Sequence, residues 1–473
     1  MDNLTGRKVI YTDAETVDAS NVAEELDKAV KIHSKNSNEI EYLFNVYKGK
    51  QDILQRVKTI RPEINNKVVV NIANEIVAFK TGYAMSDPIQ YVCRDGASEY
   101  FELINSLNAY MLSEGKEQKD KELADWFHIC GTAYRLILAD GEANEEEDEA
   151  PFEIFTLDPR YTFVVYSSGV NHKRLMGVTY VKREDNKIIY SVYTDNAYFE
   201  ISDGKIIRVE AHSLGVVPII EYPANLARLG AFENVLPLLN AINLVISNRL
   251  DGVEQFIQAL LMFKNVEIDT DEYKQLIESG GIKVPPDGDV KYLIQELNQT
   301  QTQVLVDDLY NRVLTICGMP NRNGGSSTSD TGSAVIMRDG WYEAEARAKN
   351  TELVFERSER EFLKLAIYIT NTLRGKELKL SNIKIKFTRR NYEHVLEKTQ
   401  VFSTLMATGE VHPKYAFEIS GLFNEPDLAC KESIEWADKR QSKMVERLMR
   451  EEKANDENTK EEQTGRAEHT ETV

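Results

Sequence analysis

The stretch FENVLPLLNAINLVISNRLDGVEQFIQAL, Phe232 to Leu260, decides the reading of this 473-residue chain. Phe232, Leu236, Leu239, Ile242, Ile246, Leu250, Val253, Ile257 and Leu260 recur at three- and four-residue intervals, which makes one apolar stripe on a single helix. At 1.5 Å per residue, roughly thirty residues reach on the order of 45 Å, long for a helix folded into a globular body. Residues 269–299 then carry the turn signals SGG and PPDGD, and a second helical run, Thr302 to Cys317, places Leu305, Leu309, Val313 and Ile316 on one side. Two such helices around a short insertion predict an antiparallel stalk with a small domain at its tip.

Beyond the stalk, Gly318-Met319-Pro320 stops the second helix and NRNGGSSTSDTG reads as a polar loop. A third long helix is predicted from Ala334 to about Leu373, on Met337, Trp341, Ala344, Ala348, Phe355, Phe362, Ala366 and Ile369. A strand at IKIKFTR and further helices to about Glu446 follow. From Glu451 onward, eight acids stand against three bases with hardly any apolar residue, so the tail is expected to be disordered.

Upstream of the stalk, Phe152 to Ala211 changes to short alternating runs, FEIFTL, YTFVVYS, LMGVTYV, KIIYSVYT, AYFEI and KIIRVEA, separated by DP, SSG, EDN, TDN and SDG. This is the pattern of an antiparallel β region. Before it, EANEEEDE crowds six acids into Glu142 to Glu149, which reads as a solvated loop tip. Helices are predicted at about Lys121 to Leu138, on Leu123, Trp126, Phe127 and Ile129, and at Asn65 to Tyr83, on Val69, Ile72, Ile76 and Phe79. A peripheral helix is predicted between Ala23 and Gln55, with a small apolar face at Tyr42, Leu43, Val46 and Tyr47. The fold class is α+β and mainly helical.

Composition narrows the chemistry. The hydrophobic content of 42% supports a real core. Cys93, Cys130, Cys317 and Cys430 are far apart with no C-x-x-C pair, so neither a disulfide framework nor a zinc ribbon is indicated, and a reducing compartment fits. The first twenty residues hold no signal-peptide core and no later run is apolar enough to span a bilayer, so no membrane is expected. A net charge of −20 argues against tight phosphate gripping, yet an acidic wall around a duplex would let it slide without sticking.

No catalytic site, metal site or cofactor is indicated. His128 and Cys130 sit on so apolar a helix that core packing is the better reading than a thiol nucleophile with a base. The glycine-rich loop at Asn321 lacks the lysine and spacing of a phosphate loop, so an ATPase is not indicated.

Several segments, in order, resemble the portal proteins of tailed bacteriophages, the SPP-type gp-six family of Gram-positive siphophages. They are Tyr47-Lys48-Gly49-Lys50-Gln51, then NNKVVVNIANEIVAFKTGYAMSDPIQY, then LDPRYTFVVYSS, then HSLGVVPIIEYPAN leading into the long helix, then TGSAVIMRDGWYEAEARAKNTELVFERSERE. The resemblance runs from about Ile40 to about Trp436 and is weaker at RRNYEHVLEK and HPKYAFEI.

It implies the phage portal fold: a wing with the antiparallel β region, a long-helix stem, a small α/β clip and a helical crown. On this chain the implied parts are an N-terminal arm at 1–40, the wing at 41–230, a stem helix at 231–264, the clip at 265–300 and a second stem helix at 301–320. A tunnel loop and long wing helix follow at 321–375, then the crown at 376–446 and an acidic tail at 447–473.

The resemblance further implies a homo-oligomeric ring of about twelve subunits at one capsid vertex of a virion, assembled in the host cytoplasm. Implied partners are the terminase large subunit, head-completion and connector proteins, major capsid and scaffold proteins, and double-stranded DNA passing through without sequence readout. Candidate channel bases are Arg322, Arg338, Arg347 and Lys349. Candidate clip docking residues are Asp269, Asp271, Glu272, Lys274, Lys283, Asp287, Asp289 and Lys291. The alternatives to this reading are a soluble carboxylate-dependent hydrolase, or another head-to-tail connector protein.

Overall fold

The computed structural model describes residues 6–94, 98–144, 149–185, 187–257, 260–266, 269, 271, 274, 284–293, 299–321, 340–388, 395–423 and 426–468. The chain forms two compact units, Met1–Tyr91 with Glu102–Arg389, and Val92–Phe101 with Arg390–Val473.

In the first unit, the segment expected to be an arm is built into the body. Strand β1 (Ile10–Thr12) pairs in parallel with β5 (Thr162–Ser167), and helix α1 (Val22–Tyr47) follows it. Val22, Leu26 and Ala29 of α1, at helical spacing, pack on Phe163, Val165, Val178, Val192 and Phe199. Farther along the same helix, Ile40, Leu43 and Val46 enter a different core. The helix is therefore central, not peripheral, because two faces of it are apolar at opposite ends.

Helix α2 (Ile72–Ala84) begins seven residues later than its apolar spacing predicts. Asn71 caps it, accepting from the Asn74 amide, while the amides of Asn66, Val68 and Val70 bond to side chains elsewhere and keep that segment extended. After strand β2 (Gln90–Cys93) come α3 (Phe101–Ser113) and α4 (Lys116–Cys130). The helix expected to reach Leu138 stops at Cys130. Gly131 takes φ +75°, and a Cβ there would meet the Arg228 carbonyl oxygen at 2.3 Å, so only glycine fits the turn. TAYRLILA then forms strand β3 (Thr132–Ala139), its β-branched and aromatic residues suiting a buried strand.

Strand β3 lies between β4 (Phe152–Leu157) and β10 (Ile219–Pro223), both antiparallel to it. Strands β5, β6 (Arg174–Lys182), β7 (Ile188–Tyr193), β8 (Ala197–Ser202) and β9 (Lys205–Ala211) form an antiparallel meander in the larger sheet. The six alternating runs are thus all strands, divided between two sheets. The β8–β9 turn is Asp203-Gly204, both with positive φ, the geometry a two-residue hairpin requires. The sheets meet where Gly177 of β6 faces Val217 and Ile219, and a Cβ on Gly177 would stand 2.8 Å from that of Ile219.

Helix α5 (Leu236–Ile257) is shorter than the predicted stripe, because Leu260 belongs to strand β11 (Leu260–Lys264). That strand pairs with β12 (Asp289–Leu293), and α6 (Gln299–Cys317) returns beside α5. Helix α7 (Trp341–Arg374) is the long third helix, and Ala334 to Asp339 lie outside the described residues. Strand β13 (Ile383–Lys386) matches the IKIKFTR reading.

One buried charge cluster ties three of these elements together. Arg135 of β3 is fully buried and bonds to Asp120 of α4 and Glu359 of α7. Lys116, one turn before Asp120, bridges Asp120 at 2.6 Å and Glu359 at 2.8 Å. Tyr91 and Tyr222 donate to Glu359 at 2.6 and 2.7 Å. Two cations and two carboxylates balance. Burial alone would raise the Glu359 carboxyl, but Lys116 and Arg135 outweigh it and hold it at about 2.

The second unit holds α8 (Val395–Thr408), α9 (Pro413–Ser420) and α10 (Pro426–Glu468). Phe402, Phe417 and Phe423 form its aromatic contact. The tail expected to be disordered from Glu451 continues α10 as helix to Glu468; its Glu, Lys, Arg and Ala residues are strong helix formers, which the reading from charge alone underweighted.

Removing one member of a buried charge cluster strands the rest at a cost of about 3–5 kcal/mol. Arg135→Met is therefore expected to lower the melting temperature by several degrees in thermal unfolding. Because Glu359 sits below its ordinary value of 4.5, its contribution is complete above pH 4.5 and is lost as pH falls toward 2. Glu359→Gln should flatten the fall of stability across that window; an unchanged slope would assign it to other carboxylates.

Candidate functional site

The residues that set this chain apart are those of the α5–α6 pair. At its root, a 3-10 turn at Glu233–Val235 leads into α5, and the buried Arg7 holds it. Arg7 bridges Glu233 at 2.6 Å and Glu39 at 3.1 Å, and donates to the Cys130 carbonyl at 3.0 Å. Leu236, Leu239 and Ile242 pack with Val313, Leu314 and Cys317 of α6, with Ile72 and Ile76 of α2, and with Ile40 and Leu43 of α1. Farther out, Arg249 donates to Gln303 at 2.7 Å, which sets the antiparallel register of the pair.

A second stripe on α5 is polar and buried. Asn243, Ser247 and Asp251, spaced by four, are 0, 0 and 3% exposed. Their side chains accept from the backbone amides of Val70, Val68 and Asn66 at 2.8, 3.0 and 2.8 Å. An extended segment thus runs antiparallel to the helix, every second amide meeting every fourth helical residue. Asp251 also binds Lys58 at 2.9 Å and Arg56 at 3.0 Å. Burial opposes its ionisation, but the Asn66 amide and these cations hold its carboxyl below the ordinary range.

Several apolar side chains along the pair stay open to water, among exposed polar ones such as Asp307, Asp308 and Arg312 of α6. Leu244, Leu250 and Val253 of α5 are 45, 40 and 38% exposed, and Val304, Leu305 and Ile316 of α6 are 62, 46 and 46% exposed. Leu250, Val253 and Leu305 are members of the sequence-predicted stripes, so the structure leaves part of each stripe uncovered.

At the tip, β11 and β12 pair with Lys264 opposite Asp289 and Met262 opposite Lys291. Of the candidate clip residues, Asp269, Asp271, Lys274, Asp287, Asp289 and Lys291 are exposed, while Glu272 and Lys283 lie outside the described residues. The described ones form local pairs, Asp289 with Lys291 at 3.1 Å and Asp271 with Lys274 at 3.7 Å, and Asp269 accepts from the Asp271 amide at 3.0 Å. Exposed pairs of this kind hold little energy and leave the surface open to a partner.

The candidate channel bases are not one set. Arg322 and Arg338 lie outside the described residues. Arg347 is committed to the fold: its guanidinium donates to the carbonyls of Ile316 at 2.6 Å and Thr315 at 3.4 Å and bridges Glu343 at 2.6 Å. It thereby caps the C-terminal end of α6, where carbonyls lack helical partners and favour a cation. Lys349, two residues on and so roughly on the opposite side of the helix, is 66% exposed with Glu345 at 3.5 Å.

His128 and Cys130 are both buried. Burial and nearby Lys80 push the His128 imidazole down to about 3, and burial pushes the Cys130 thiol up to about 12. Both side chains pack in the core, as the packing interpretation expected. Among the described residues no cluster of His, Cys, Asp and Glu has the makings of a metal site, and no described helix is long and apolar enough to cross a membrane.

The sequence reading missed Arg7, Arg135 and the Asn243–Ser247–Asp251 stripe. The stripe had a signal, polar residues at i, i+4 and i+8 within an otherwise apolar helix; the two arginines had none, since their partners are distant in sequence.

Fold and site together define a mainly helical α+β protein built around an antiparallel helix pair. A family model described as phage portal protein, SPP1 Gp6-like, matches residues 26–457, and the chain belongs to that family. Portal proteins of this family are structural rather than enzymatic. No curated protein sequence matches the chain. Similar solved structures include the neck of an empty gene transfer agent (GTA) particle computed with C6 symmetry, at 11% identity and TM-score 0.46 over 76% of this chain and 91% of that one. The virion of a native gene transfer agent particle is similar at 11% identity and TM-score 0.43, over 81% and 94% of the two chains. The neck of a native GTA particle computed with C12 symmetry gives 12% and 0.43, over 74% and 90%.

Arg347→Ala is expected to cost about 1–2 kcal/mol in denaturant unfolding, because a charge-assisted cap is lost, whereas Lys349→Ala should stay within about 0.5 kcal/mol. Equal effects would remove the distinction between cap and surface base.

Proposed function

We propose that this chain is a portal subunit, one of about twelve in a ring at a single capsid vertex of a virion, assembled in the host cytoplasm. The ring is the channel through which terminase packages double-stranded DNA and through which the DNA later leaves. The observation that carries this reading, within the family, is the α5–α6 pair with Leu244, Leu250, Val253, Val304, Leu305 and Ile316 left exposed along it. A closed ring of identical subunits with heterologous contacts covers such a face on every copy.

The tip at residues 265–300 is the surface for the terminase large subunit during packaging and for head-completion or connector proteins afterward, with scaffold and major capsid proteins meeting the body. Its exposed alternating charges suit partners that bind and then leave. Energy for translocation comes from the motor. The net charge of −20 suits a channel that repels phosphates and lets the duplex slide, because each firm basic contact would act as a brake. Lys349, with Arg322 and Arg338, is the set for weak, sequence-independent phosphate contact; Arg347 serves the fold instead.

The test is the mass of the purified protein by native mass spectrometry, with negative-stain imaging of the same sample. Rings of about twelve or thirteen subunits with a central hole are expected. A stable monomer or dimer that stays so in the presence of scaffold protein would contradict the reading and justify a screen for hydrolase activity.

A further inference from the structure

The loop between Arg56 and Asn66 is tied at its neck by its own side chains. Arg56 donates to the Asn66 carbonyl at 3.0 Å, Asn65 to the Arg56 carbonyl at 3.1 Å, and Lys58 to the Ile64 carbonyl at 2.8 Å. Ile64 is 2% exposed and fills the loop from within. Arg56 and Lys58 then fasten the neck to α5 through Asp251, and Arg56 also bonds Asn248. The loop is therefore held against the helix pair as a fixed projection, a compact closed loop of the kind that often carries function.

Its tip is apolar where a solvated loop has no use for it. Val57 is 84% exposed and Ile60 79%, with Arg61 beside them in the left-handed region at φ 49°. Two nearly bare aliphatic side chains on a fastened loop form a contact surface awaiting a partner.

The complementary surface lies on α6. Val304 and Leu305 are 62 and 46% exposed, and Asp308, paired with Arg312 at 2.9 Å, stands one turn beyond Val304. The Arg249–Gln303 bond places this patch level with Ser247 and Asn248, the latter bonded to Arg56 of the loop and within a turn of Asp251. Both surfaces are open to water, so neither covers the other within one chain. Rotation about a ring axis leaves height unchanged, so with the helix pair along the axis a feature at one level meets its neighbour's features at that level.

We propose that the 56–66 loop is an intersubunit latch whose occupant is a second copy of this chain. Val57 and Ile60 seat on Val304 and Leu305 of that copy, and Arg61 faces its Asp308. The inference rests on the ring reading above, since only a closed rotation brings the two levels together on every copy.

Full-length chains carrying Val57→Cys with Val304→Cys, and each single substitution as a control, test it. Ring content is read first by native mass spectrometry; copper phenanthroline oxidation and a non-reducing gel follow. A ladder of covalent multimers that requires both substitutions is expected, because a disulfide forms only where Cα atoms come within about 7 Å. Rings of unchanged mass that give no ladder, from this pair and from Ile60→Cys with Leu305→Cys, overturn the latch while the ring reading stands. An unsubstituted chain that forms no ring defeats both. Val57→Asp with Ile60→Asp separates docking from folding: it should shift the population from rings toward the 54.0 kDa monomer with the monomer's melting temperature unchanged. A variant that assembles as fully as the parent overturns the latch.

Discussion

Four residues of α-helix advance about 6.0 Å and two residues of extended chain about 6.6 Å. That near-coincidence lets Asn243, Ser247 and Asp251 receive the amides of Val70, Val68 and Asn66 one after another. Most of what is particular to this chain follows from the match. The extended segment satisfies its backbone without a sheet, the helix buries polar residues without penalty, and the segment that precedes α2 is laid along α5 instead of continuing α2 backward. It also carries the 56–66 loop to its place, because the residue that ends the ladder, Asp251, is the one that holds Arg56 and Lys58.

The helix pair so formed is rigid at the root and open outside. Arg7 and the mixed core of α1, α2, α5 and α6 fix where it leaves the body, and Arg347 ties the C-terminal end of α6, also at the root, to α7. The exposed leucines and valines along it cannot be covered by the described residues of the same chain. In a portal, that is the expected division of labour: the root of the pair makes the subunit, and the side chains left exposed farther out are available to the ring. On the proposed reading, the acidic balance of the whole chain suits this, since a passage for DNA would be served by a wall that does not hold phosphates.

Periodicity made the architecture legible. The stripe from Phe232, the six alternating runs of the β region and the apolar spacing of α7 each gave an element of the right type, since burial of one face leaves a repeat in the text. Boundaries were lost wherever a local device overrode the repeat. Gly131 ended α4 between two equally apolar stretches, Asn71 started α2 within one, and Leu260 continued the α5 stripe by chance as the first residue of a strand. The site was less legible. Arg347 reads as a channel base in sequence and is a helix cap in space, because its acceptors at Thr315 and Ile316 are 32 and 31 residues away. Arg135 and Glu359 are ordinary charged letters until three elements converge on them.

A symmetry-averaged electron cryo-microscopy reconstruction of the assembled protein tests the central claim most directly. The account requires a closed ring with a central hole, the α5–α6 pairs standing side by side around it and their outer faces buried between neighbours. An assembly in which those faces point into solvent, or in which no continuous hole passes the level of the helix pairs, would contradict it.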